Sequence, residues 1–99
     1  MISLEMIPLL NPSVVCRIIN NEAVIVLPAK GQVKVLNEVG ARIWSLIDGT
    51  HTVGEIIMAI EFEYTVNAED AFKDISTFLT QLEEREIISF NERPQERFL

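Results

Sequence analysis

The sequence predicts an α+β domain in a winged-helix-like arrangement, with a three-stranded antiparallel β-meander followed by three α-helices. Two observations carry this reading. Short β-branched runs separated by Asn, Pro and Gly fill the chain as far as Leu36, and from Asn37 onward apolar residues recur at helical spacing.

Residues 1–10 read as an N-terminal arm, and their apolar character leaves a flexible arm, an extra strand or a self-association element open. Asn11-Pro12-Ser13 is a turn signal. Val14 to Ile19 reads as the first strand of the meander. Asn20-Asn21-Glu22 reads as a tight turn, because Asn tolerates left-handed backbone. Ala23 to Leu27 is the partner strand. Pro28 to Gln32 forms a second turn, and Val33 to Leu36 a short third strand. Connections this short favour antiparallel neighbours.

The first helix starts at Asn37, whose side chain can accept a hydrogen bond from a free N–H of the first turn. Glu38 suits the positive end of the helix dipole. Val39, Ile43, Trp44, Leu46 and Ile47 form the apolar face, and Gly49 is the expected left-handed residue at the helix end. Thr52-Val53-Gly54-Glu55 matches a capping box for the second helix, which fades near Tyr64. Asn67 caps the third helix, about Ala68 to Arg85. Its core stripe is Ala71, Ile75, Phe78 and Leu82, widened by Phe72 and Leu79, with Asp74, Gln81 and Arg85 along one border. Ile87 to Phe90 suggests a short final strand. Residues 11–90 are therefore expected to fold as one domain and 91–99 to form a loose tail.

The chain has 15 acidic and 8 basic residues, for a formal net charge of −7. Nucleic acid is a poor partner for this balance, since phosphate binding needs a basic face. Cys16 is the only cysteine, so an intramolecular disulfide and a multi-thiolate metal site are excluded. The N-terminus lacks a basic signal-peptide region, and no apolar run approaches the roughly 20 residues that span a bilayer. The expectation is a cytoplasmic protein, without membrane contact, as a monomer or homodimer.

No catalytic constellation stands out. His51, the only histidine, reads as an exposed loop residue. Cys16 reads as a buried, inert thiol within a strand, and Trp44 as a core aromatic whose N–H needs a partner. Gly31, Gly40, Gly49 and Gly54 belong to no phosphate-binding loop. Glu69-Asp70 and Glu83-Glu84 read as solvated helix positions. Neither an enzyme activity nor a cofactor is expected.

The run Val35-Leu36-Asn37-Glu38-Val39-Gly40-Ala41-Arg42-Ile43-Trp44, with Leu46 to Thr50, resembles the PqqD family. Thr52-Val53-x-Glu55-Ile56 and Asp74-Ile75-x-x-Phe78-Leu79-x-x-Leu82 extend the resemblance, as does the start at Asn11 to Val15. One departure is Glu86, where many relatives have Gly; a left-handed helix end is less expected there. The resemblance implies three strands followed by three helices. It also implies a non-catalytic module that binds the leader segment of a ribosomal precursor peptide. The implied second partner is a maturation enzyme, such as a radical S-adenosylmethionine protein or a leader peptidase.

The third strand ends the meander and offers an open sheet edge to which an extended leader can add. The expected contacts are Val33, Lys34, Val35 and Leu36 from this strand, and Asp74, Phe78, Gln81 and Arg85 from the third helix. A winged-helix nucleic-acid binder and a self-associating structural protein are the alternative classes.

Overall fold

The computed structural model describes residues 2–91. The strands are β1 (Ile7–Leu10), β2 (Val15–Ile19), β3 (Glu22–Leu27), β4 (Gln32–Leu36) and β5 (Ile88–Asn91). The helices are α1 (Glu38–Ser45), α2 (Val53–Tyr64) and α3 (Ala68–Glu84). The main sheet has the antiparallel order β2-β3-β4, and β1 pairs with β5 in a separate two-stranded sheet. The α+β meander followed by three helices is thus observed, and the expected third strand is β4.

Local chemistry explains the turns. Asn20 and Asn21 adopt φ of 52° and 67°, the paired left-handed geometry that suits a two-residue hairpin. Glu22 consequently lies in β3 rather than in the turn. Pro28–Lys30 form a 3-10 turn, closed by Gly31 at φ 62°.

The three helix starts follow the capping residues. Asn37 Oδ1 accepts from Gly40 N at 2.9 Å and Asn67 Oδ1 from Asp70 N at 2.8 Å. Thr52 and Glu55 complete a reciprocal capping box at 2.8 and 3.1 Å. The end of α1 differs from expectation. The helix stops at Ser45 with a right-handed Leu46, and Gly49, at φ 85°, lies beyond it in the Asp48-Gly49-Thr50 turn.

Of the readings open for residues 1–10, the extra strand is observed: Ile7 to Leu10 lie opposite Asn91 to Ile88. The segment before it also closes the start of α2. The Val53 N–H donates to Met6 O at 2.8 Å and the Gly54 N–H to Leu4 O at 2.9 Å, so the first helix N–H groups are satisfied. Of the expected tail, Asn91 belongs to β5, and residues 92–99 lie outside the described residues.

The core lies between the sheet's inner face and the helices. Ala23, Ile25 and Leu27 alternate into it from β3 and meet Ile43, Trp44, Ile56, Ile60, Leu79 and Leu82. Two ion pairs tie elements together. Arg42 holds Glu63 through two bonds, at 2.8 and 2.7 Å, linking α1 to α2. Lys30 meets Glu86 at 2.8 Å, where the chain before β4 lies beside the end of α3.

Candidate functional site

The last half of β4 and the first half of α3 flank a groove of about 400 Å³. Lys34, Val35 and Leu36 form one side and Asp70, Ala71, Asp74, Ile75 and Phe78 the other. Val39, Gly40 and Ile43 of α1 close one end, with Ile60 and Val66 in the floor and wall. A Cβ on Gly40 would lie 3.2 Å from Leu36 Cβ, so glycine permits the close seating of α1 on the end of β4.

Alternation along β4 decides which side chains face the groove. Gln32 and Lys34 are half-buried and Leu36 is buried, whereas Val33 and Val35 are 62% and 59% exposed on the sheet's outer face. β4 is also an edge strand. β3 pairs with one side of it, from Ala23↔Leu36 to Leu27↔Gln32. Among the described residues no strand pairs with the other side. Since a strand directs its N–H and C=O groups alternately to its two sides, part of the β4 backbone faces outward beside the groove.

Five of the eight expected contact residues border the groove: Lys34, Leu36, Asp74 and Phe78, and Val35 at its rim with its side chain on the outer face of the sheet. Three do not line the groove. Val33 faces the outer side of the sheet. Gln81 lines a separate concavity with Ile2, Phe72 and Thr77. Arg85 is the C-cap residue of α3. Sequence reasoning missed the contribution of α1, Ile60 and Val66. The available signal was Asn37, the single residue between β4 and α1, which forces the helix start against the end of the strand.

The groove combines an apolar floor with a small set of charges. Asp70 is engaged: Asn67 Nδ2 donates to its Oδ2 at 3.0 Å. Asp74 and Lys34 form no ion pair among the described residues.

The residues weighed for reactive chemistry lie elsewhere. Burial pushes the Cys16 thiol up, outweighing an opposing influence of the Trp44 side chain, so the thiolate that would react is disfavoured. His51 Nδ1 lies 2.9 Å from Asp48 Oδ1 in the turn after α1. Asp48 is held far below the usual carboxylate range, chiefly by the Thr50 hydroxyl and N–H and then by His51. Among the described residues, no group of three or more His, Cys, Asp or Glu is placed to hold a metal ion. No helix among them is long and apolar enough to cross a membrane.

Comparison with curated proteins gives no match. Two solved structures are similar. "TbiB1 in Complex with the TbiA(beta) Leader Peptide" is 33% identical with a TM-score of 0.75, covering 82% of this chain and 94% of that one. "Lasso peptide synthetase B1 complexed with the leader peptide" is 26% identical with a TM-score of 0.74, covering 84% of this chain and 98% of that one. The family model described as coenzyme PQQ synthesis protein D (PqqD) matches residues 22–88, with β3, β4, the groove and all three helices included, and this chain belongs to the PqqD family.

Proposed function

We propose that this protein is a non-catalytic recognition module. It captures the leader segment of a ribosomally made precursor peptide and presents it to a modifying enzyme, a radical S-adenosylmethionine protein or a leader peptidase. One observation carries the reading: β4 is an edge strand whose outer side no strand pairs with among the described residues, and it runs beside an apolar groove. The two similar structures, both leader-peptide complexes, support it.

The physics of strand addition supplies the mechanism. The outward N–H and C=O groups of β4 extend the sheet by one antiparallel strand, giving affinity with little demand on sequence. Alternate guest side chains then point into the groove, where Leu36, Ile43 and Phe78 receive them and exclude water. Val33 continues the ladder. Gln81 and Arg85, one and two turns beyond Phe78, contact a longer guest. Ordering the leader offsets about 2–5 kcal/mol of gross interaction energy, which keeps binding reversible and suits delivery to an enzyme. The module acts in the cytoplasm, where precursor and enzyme meet.

Titration with a synthetic leader of the precursor encoded nearest this gene tests the proposal. Resonance shifts are expected to concentrate at residues 32–36 and 70–78. Lys34→Pro and Val35→Pro sample the two sides of the strand. The variant whose lost N–H faces away from β3 stays folded and loses binding, because proline removes a donor of the added ladder. Unchanged affinity in that folded variant overturns strand addition at β4.

A further inference from the structure

The wall of the groove constrains which guest it accepts, an inference that rests on the strand-addition reading. β4 and α3 run in opposite directions. The Lys30–Glu86 ion pair places the start of β4 beside the end of α3. The groove likewise draws on the last residues of β4 and the first turns of α3. A guest antiparallel to β4 therefore runs parallel to α3.

Two rulers then coincide. From Asp74 to Phe78 the helix rises about 6 Å, at about 1.5 Å per residue. Two residues of an extended strand advance about 6.7 Å. The guest side chain that meets Asp74 and the one that meets Phe78 are thus two positions apart and on the same face of the strand. The first meets a carboxylate with no ion-pair partner among the described residues. The second meets an aromatic ring packed on the core. Asp70, a turn earlier, adds a second negative charge, against the single cation Lys34 on the opposite side.

We propose that the preferred guest is a leader segment with Lys or Arg two positions before an aromatic or aliphatic anchor. The cation meets Asp74 and the anchor packs against Phe78. An Arg fork fits best, since it can place two parallel N–H groups on the Asp74 carboxylate. The order is part of the proposal: a guest running the other way would carry its cation after the anchor.

The test is selection from a phage-displayed library of random peptides about twelve residues long, panned on the full chain and on its Asp74→Lys and Asp74→Asn variants. Asp74 is exposed, so both variants are expected to fold. Selected peptides are synthesised and titrated into isotope-labelled protein. The wild-type chain is expected to enrich Lys or Arg two positions before an apolar residue. Asp74→Lys should enrich Asp or Glu there, and Asp74→Asn should lose the charge preference. Wild-type-selected peptides should bind Asp74→Lys about fivefold more weakly, the scale of a solvent-edged ion pair, with the difference shrinking in salt. The same charge selected by wild type and Asp74→Lys, or the reversed order, overturns this inference while leaving strand addition standing. Peptides that bind while leaving residues 32–36 and 70–78 unshifted overturn strand addition as well.

Discussion

At the scale of single residues, the end of α3 shows tertiary demands overriding local preference. Glu86 adopts φ 64°, the left-handed conformation that glycine takes without penalty. The hydrogen bonds explain why. Ile87 N donates to Leu82 O at 2.9 Å and Glu86 N to Glu83 O at 2.9 Å, which is a Schellman motif. Leu82 and Ile87 are both buried, the apolar contact that accompanies this motif. Asn11 reinforces the bend, its Nδ2 donating to Glu86 O at 2.9 Å and its N–H to Ile87 O at 3.0 Å. A left-handed L-residue costs roughly 1–2 kcal/mol, while the exposed Lys30–Glu86 ion pair contributes little. Glu86→Gly is therefore expected to stabilise the fold by about 1 kcal/mol, a rise of roughly 4–8 °C in melting temperature. Thermal denaturation checks it. An unchanged or lower melting temperature would mean that Glu86 contributes more than its strain costs.

At the scale of elements, caps and edges matter more than propensity. The composition of α2 is apolar on nearly every side, and Met58 and Phe62 stay 68% and 88% exposed. Val53, Ile56, Ile57 and Ile60, at helical spacing, are its buried face, and its start is held by caps. Thr52, Glu55, Leu4 and Met6 supply partners there. Thr52→Ala is expected to cost about 1 kcal/mol, the usual value of an N-cap, as read from urea denaturation. β4 shows the same dependence on context. Its sequence marks a strand, but only the pairing β2-β3-β4 makes it an edge, and only α1 and α3 turn that edge into one side of a groove.

At the scale of the whole molecule, the two ends of the chain lock each other. β1 and β5 come from opposite ends of the described chain and pair over four residues. Pro8 of β1 is fully buried. Removing residues 1–10 therefore strips β5 of its partner and the first N–H groups of α2 of theirs. The expected loss is on the order of 3 kcal/mol, set by the apolar surface exposed. A truncated chain as stable as the parent in thermal denaturation would show that β1 is dispensable. Because β1 pairs with β5, it does not occupy the outer side of β4, and among the described residues no other strand does.

The sequence by itself determined the elements and their order. Period-two and helical spacing are local properties, and Asn37, Thr52 and Asn67 act on groups within a few residues of themselves. It also determined the acidic balance and the placement of Asp74 and Phe78 on neighbouring turns of one helix, because those follow from composition and 3.6-residue periodicity. Only the tertiary structure decided that residues 1–10 supply a strand, since that pairing joins segments about eighty positions apart and leaves no short-range signature. Tertiary structure likewise excluded Val33, Gln81 and Arg85 from the groove lining and recruited Val39, Ile43, Ile60 and Val66. Which side chains share a cavity depends on the tilt and seating of whole elements, set by packing among residues far apart in the chain.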